Sequence, residues 1–235
     1  MPYIMKNVVP WGRTLDEYRK MFALSDTELK GHIAGFGDGV ASFNAECGTL
    51  GGHVTSVDPV YRFTGELLEK VLAEAKRRLI GETAKERKKD STAIARDIDE
   101  LERRHMTAVQ LFMDDYEEGK KEGRYRDCEL PFRLPFPDDT FDLGLSSHFL
   151  LLYTRHGINF HLQSIGEMLR TCREIRIFPV VDVHGEKTGL ARKVVEHFVR
   201  DYDLAFCKTA YHSADGHNDM LVIRRKSEMS PKTRH

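Results

Sequence analysis

The chain has 235 residues, a formal net charge of −1, and 40% apolar and 31% charged residues. That length gives one large domain, or one domain with an insertion, whose core needs no disulfide or metal staple. A balance so near neutral argues against nucleic acid as a partner, because no long-range positive field is available to attract it. The cysteines, Cys47, Cys128, Cys172 and Cys207, form no CxxC pair. This spacing predicts a reducing compartment and neither a zinc site nor a disulfide framework. The first residues hold no stretch apolar enough for a signal peptide, and no run approaches the ~20 apolar residues of a membrane span. The expected location is the cytoplasm, with no membrane partner.

In chain order, Thr14 to Leu24 reads as an amphipathic helix. Thr14 caps it, Glu17 stands in the capping-box position, and Leu15, Tyr18, Met21 and Phe22 share a face. Ser25 with Glu28 opens a further brief turn. A short apolar run at His32 to Phe36 then passes through a glycine loop into a small-residue helix from about Val40 to Leu50. The Gly51-Gly52 break leads to a strand, Val54 to Val57, ending at Asp58. This β-α-β unit predicts a parallel sheet.

From Thr64 to about Glu122 the pattern changes to long charged helices. One apolar stripe runs through Leu67, Leu68, Val71, Leu72, Ala75 and Leu79, and another through Ile94, Ile98, Leu101, Ala108, Val109 and Phe112. The stretch ETAKERKKD between them reads as a solvated bend, not a basic patch, since acids interleave with its lysines. Alternation resumes after Gly123. Strands are expected at Arg126 to Leu130, Phe141 to Ser146 and Glu174 to Val181, the last crossed by Pro179. Helices are expected at Ile158 to Arg170 and Leu190 to Tyr202. A hairpin of Leu204 to Tyr211 with Asp219 to Arg225 closes an α/β, doubly wound chain, followed by a polar tail.

The chemistry concentrates in the glycine loop. Gly37 and Gly39 stand where a strand turns into a helix, so the backbone can take positive φ and come close to a ligand. The helix that follows offers unpaired N–H groups. Asp58, closing the next strand, is placed to accept hydrogen bonds from both hydroxyls of a ribose. A dinucleotide fingerprint needs G-x-G-x-x-G, and from Gly35 or Gly37 the third glycine is replaced by Val40 or Ser42. No Tyr-x-x-x-Lys set accompanies it, so an NAD-dependent oxidoreductase is the weaker alternative.

The spacing resembles the first motif of class I S-adenosylmethionine-dependent methyltransferases, an acidic residue followed by G-x-G-x-G. Gly37 and Gly39 match its first two glycines, and Ala41 replaces the third. The run LPFPDDTFDLGLSSHFLLLY, Leu134 to Tyr153, is similar to that family's loop and fourth strand. The resemblance covers roughly Gly31 to Arg225, apart from the charged helices. It implies a Rossmann-like, mostly parallel seven-stranded sheet with an antiparallel C-terminal hairpin and a helical insertion. The implied division is an N-terminal helical lid at 1–30, a core at 31–63 and 123–226, the insertion at 64–122, and a tail at 227–235.

The resemblance also implies S-adenosylmethionine as cofactor, bound by Gly37, Asp38, Gly39, Asp58 and Pro59. Asp127 or Glu129 would take the adenine amino group, and Tyr61 or Arg62 would lie over the ring. Ser146, Ser147 and His148 end the fourth strand, facing the transferred methyl, with His148 the catalytic candidate that accepts a proton. Tyr153 is a core or lid aromatic. Arg13 and Tyr18 belong to a segment that folds over the cofactor, with Arg13 pairing its methionine carboxylate and Trp11 packing the lid. One departure stands out: Gly35 replaces the acid that opens the motif, and nearby Asp38 is the substitute.

His156, His161, His184, His212 and His217 show no ligand spacing for a metal. His212 and Asp215, between the last two strands, are acceptor contacts. The expected function is methyl transfer to a small-molecule acceptor by SN2 displacement, with the insertion either roofing the acceptor pocket or joining two copies in a homodimer. The alternative is a methyltransferase-like binding or regulatory protein without catalysis.

Overall fold

The computed structural model describes residues 12–86, 92–211 and 216–226. Trp11, His212, Asp215 and the tail at 227–235 lie outside them, as do the side chains of Leu79, Ile94, Ile98 and Leu101. Seven strands form one sheet: β1 (His32–Phe36), β2 (His53–Val57), β3 (Tyr125–Arg126), β4 (Phe141–Ser147), β5 (Cys172–Phe178), β6 (Tyr202–Lys208) and β7 (Asp219–Arg225). Their spatial order is β3-β2-β1-β4-β5-β7-β6. The first five run parallel, with Phe36 beside Val57 and Gly35 beside Leu145. β7 inserts antiparallel between β5 and β6, pairing Ile175 with Ile223. This is the Rossmann-like, doubly wound sheet with an antiparallel end that the resemblance implies, and its order reverses between β1 and β4.

Helices cover both faces. On one side lie α1 (Leu15–Phe22) and α2 (Phe43–Thr49), on the other α5 (Gly157–Thr171) and α6 (Gly189–Phe198). The alternation of β7 explains the sandwich: Met220 and Val222 join the α1 side, Leu221 and Ile223 the α5 side. α1 begins with the expected capping box, in which the Thr14 hydroxyl and Glu17 carboxylate each accept a bond from the other's backbone N–H. It is a core element: Tyr18, Met21 and Phe22 are all buried. Each such side chain contributes about 1.5–3 kcal/mol by leaving water. Two longer helices, α3 (Gly65–Glu86) and α4 (Thr92–Lys121), stand at the β3 edge. There Phe112 and Tyr116 close over Tyr61 and Tyr125 in an aromatic cluster.

Several boundaries differ from the sequence expectation for local reasons. α2 starts at Phe43 instead of Val40, because residues 37 to 42 are taken up by a bend with Gly37 at φ 73° and Gly39 at φ 55°. The third strand is two residues long and ends at Arg126, where Asp127 turns out to meet Arg62. β5 stops at Phe178, since Pro179 has no N–H to extend the ladder. α6 ends at Phe198 and leaves 202 to 208 for the edge strand. Among the described residues, no helix is long and apolar enough to cross a membrane, and no three His, Cys, Asp or Glu side chains group as metal ligands.

Candidate active site

The carboxyl ends of β1, β2 and β4 open onto a cavity of about 570 Å³, within the usual range for small-ligand sites. It lies at the strand-order reversal, where open α/β sheets bind ligands. Its floor is the glycine bend. A Cβ on Gly37 would strike the Phe149 ring at 2.7 Å, so this position must be glycine to pass beneath it. A Cβ on Gly39 would meet nothing within 4 Å. The backbone there faces open space.

Asp58 stands beside the bend and lines the cavity. Its Oδ2 accepts the Gly39 N–H at 3.0 Å and its Oδ1 the Val60 N–H at 2.8 Å. Burial pushes its carboxyl up to about 6 against those two bonds, and the Glu129 and Asp127 carboxylates add to the rise. Pro59 follows, opening a turn of 3-10 helix from Pro59 to Arg62.

Asp38 is 8% exposed, and each of its oxygens accepts a hydroxyl: Tyr18 donates to Oδ1 and Ser56 to Oδ2, both at 2.7 Å. The Tyr18 ring in turn stacks on Phe43 at 4.2 Å. Burial pushes Asp38 up to about 6, opposed by these hydroxyls and reinforced by Asp58. A Cβ placed on Gly35 would fall 1.8 Å from Asp38 Oδ2. The Asp38 carboxylate therefore occupies the volume into which a side chain at position 35 would begin to grow.

At the other end, Ser147 and His148 line the cavity, with Ser147 Oγ 3.0 Å from His148 Nδ1. His148 sits in the left-handed region at φ 51°, which costs an L-residue roughly 1 kcal/mol and is tolerated where the surroundings over-determine it. Its N–H is held by the Phe178 carbonyl at 2.7 Å, and its ring packs on Phe178 and Tyr211. Burial first, then the Arg13 guanidinium, pushes its imidazole down to about 3, against the Glu17 carboxylate. It is neutral at physiological pH.

Arg13 reaches the same end of the cavity. Its Nη1 donates to Glu17 Oε1 at 3.0 Å and to the Tyr211 hydroxyl at 2.5 Å, and lies 3.3 Å from His105 Nε2. Gly12 and Arg13 cross directly over α4, where a Cβ on Gly12 would meet Ala108 at 2.9 Å.

Four expectations need correction. Ser146 is fully buried, accepts the Leu150 N–H, and does not line the cavity. Asp127 meets Arg62 on the surface and does not line the cavity, whereas Glu129, 4.0 Å from the same guanidinium, is on the cavity wall. Tyr61 is fully buried and donates its hydroxyl to the Gly39 carbonyl at 2.8 Å, so it buttresses the bend from behind and covers no ring. Arg62 is tied to Asp127 and exposed.

Gly37, Asp38, Gly39, Asp58, Pro59, Glu129, Ser147, His148, Arg13 and Tyr18 do converge on one cavity. Tyr153 joins them as a wall aromatic, under the Arg155 guanidinium. Phe149, Leu152 and Phe160 were missed, because an apolar run gives no sign of which members leave the core. Glu17, His105 and Tyr211 were missed for other reasons. The capping box already accounts for Glu17, and nothing local links 17, 105 and 211.

No family model matches the chain. A relative from Methanocaldococcus jannaschii, named Uncharacterized protein MJ0045, is 33% identical over 226 residues, covering 94% of this chain and 98% of its own. The chain belongs to the family of that protein. Among solved structures, magnesium protoporphyrin IX methyltransferase of Synechocystis PCC 6803 with bound SAH is 13% identical at a TM-score of 0.47, over 90% of this chain and 81% of that one. A SAM-dependent methyltransferase of Aquifex aeolicus is 10% identical at 0.41, over 89% and 92%.

Proposed function

We propose that the chain binds S-adenosylmethionine in this cavity and transfers its methyl group to a small-molecule acceptor in the cytoplasm. The observation that carries the reading is the Asp58 carboxylate. An ionised carboxylate has about four acceptor positions; the Gly39 and Val60 N–H groups use one on each oxygen, which leaves a pair for two neighbouring hydroxyls. The open space over Gly39 lets a nucleoside approach the main chain. The lining fits the cofactor: Asp58 and Pro59 at the sugar, Glu129 at the adenine amino group, Asp38, Tyr18 and Arg13 at the methionine end. Four free cysteines accord with a reducing compartment.

Bound S-adenosylmethionine supplies a methyl already activated on a sulfonium, so the protein's work is to orient the acceptor and exclude water. Ser147 Oγ stands 3.0 Å from His148 Nδ1, and the imidazole tautomer sets which of the two donates. In the tautomer protonated at Nδ1, His148 Nε2 keeps a lone pair to orient an acceptor hydrogen. A base this weak takes the proton only late, once the methyl has moved. The contact of His105 with Arg13 brings the insertion against the methionine end of the cavity, which supports it as part of the roof. A second reading, a binding or regulatory protein, rests on that same weak imidazole; it calls for cofactor binding with no S-adenosylhomocysteine formed in the presence of any acceptor.

Calorimetry tests the reading: S-adenosylmethionine and S-adenosylhomocysteine should bind, and silence at millimolar ligand removes it. The affinity should also depend on pH. Only the ionised Asp58 accepts both hydroxyls, and its carboxyl titrates at about 6. Binding should therefore be level above that pH and fall as pH drops through it, about tenfold per unit. Equal affinity at about pH 5 and about pH 8 would rule out an ionised Asp58 as the sugar ligand.

A further inference from the structure

We infer that Glu17 is a positioning residue of this site, which acts through Arg13 to fix a guanidinium at the methionine end of the cavity. The inference rests on the cofactor reading above. Arg13 lines the cavity; Glu17 stands behind it at 1% exposure. A half-buried guanidinium, here 19% exposed, needs a counter-charge, because partial desolvation disfavours the lone ion. Glu17 supplies that charge with Oε1 while Oε2 caps α1 through the Thr14 N–H at 2.9 Å. One carboxylate thus joins the start of a core helix to a ligand-facing cation.

Three further contacts fix the direction of Arg13. Tyr211, at the end of the β6 segment, accepts from Arg13 Nη1 and donates to Glu17 Oε1 at 3.2 Å. His105, from α4 and only 2% exposed, lies 3.6 Å from the same Glu17 oxygen. The Arg13 carbonyl accepts the Ser42 N–H at 3.0 Å, which ties the residue's backbone to the exit of the glycine bend. Burial pushes the Glu17 carboxyl up, yet His105, Arg13 and the Thr14 N–H outweigh it and hold the group at about 2. The resulting pair is neutral overall, with its positive end toward the cavity.

The geometry makes a separable claim. A guanidinium aimed by Glu17 reads the carboxylate of the ligand, not its nucleoside. S-adenosylhomocysteine carries that carboxylate and 5′-methylthioadenosine lacks it. Glu17→Gln keeps the capping box, in which Gln serves as well as Glu, while removing the charge that holds Arg13. Calorimetric affinities of both ligands should be measured for wild type, Glu17→Gln and Arg13→Ala. The expected result is about a tenfold loss for S-adenosylhomocysteine in both variants, with 5′-methylthioadenosine unchanged. Equal losses for the two ligands would reduce Glu17 to a fold-stabilising role, and unchanged or tighter S-adenosylhomocysteine binding would make it a competitor for Arg13; either outcome overturns the inference. If wild type binds neither ligand, it is the cofactor reading that fails.

Discussion

Asp58→Ala should weaken S-adenosylmethionine binding by about 100-fold or more, since hydrogen bonds to a charged acceptor contribute roughly 1.5–3 kcal/mol each and two hydroxyls lose theirs. The loss should be the same for 5′-methylthioadenosine, which keeps the ribose. The substitution also strands the Gly39 and Val60 N–H groups that Asp58 holds, so stability will fall too. Thermal denaturation without ligand measures that part. Asp58→Asn separates the effects: it preserves one oxygen for the backbone and removes the charge, and should sit between alanine and wild type in affinity. If the alanine variant folds and binds within about twofold of wild type, which is less than one neutral hydrogen bond, the sugar is held elsewhere.

Gly35→Asp is expected to be among the most damaging single changes in the chain, although it supplies the acid that the sequence resemblance expects at that position. Its Cβ would start 1.8 Å from Asp38 Oδ2, so two carboxylates would compete for one buried volume. Overpacking costs about 1–3 kcal/mol and forcing like charges together adds to it. Removing the displaced acid should relieve both. The double variant Gly35→Asp with Asp38→Gly should therefore be more stable than Gly35→Asp alone, a strongly non-additive result. Denaturant unfolding of the two variants decides it. Additive losses would mean that Asp38 does not hold the volume that a side chain at position 35 would enter.

Sequence reasoning read the sheet well because the cues were periodic or local. The alternation of β7, the capping box at Thr14 and the paired glycines each encode their structure within a few residues. The bend and Asp58 were legible for the same reason: φ > 0 and a strand-end carboxylate are local requirements. Side-chain direction was not. Ser146 and Ser147 are neighbours, yet only Ser147 lines the cavity, and Asp127 and Glu129 differ in the same way. A carboxylate two residues along points differently when the strand ends early, as β3 does. Tyr61 offered an aromatic beside the site, but three rings from two other segments, Phe112, Tyr116 and Tyr125, drew it into a core. Those associations are tertiary, and no window of sequence contains them.

The contact between Arg13 and Tyr211 spans 198 positions of the chain. Loop closure over such a distance is unfavourable until the intervening structure has formed. The glycine bend and its carboxylate, by contrast, are close in sequence, joined by the bond from the Gly39 N–H to Asp58. The guanidinium takes its place only when the final hairpin arrives. Recognition of the sugar is thus assembled from neighbouring segments, whereas recognition of the amino-acid end depends on a contact that joins positions 13 and 211.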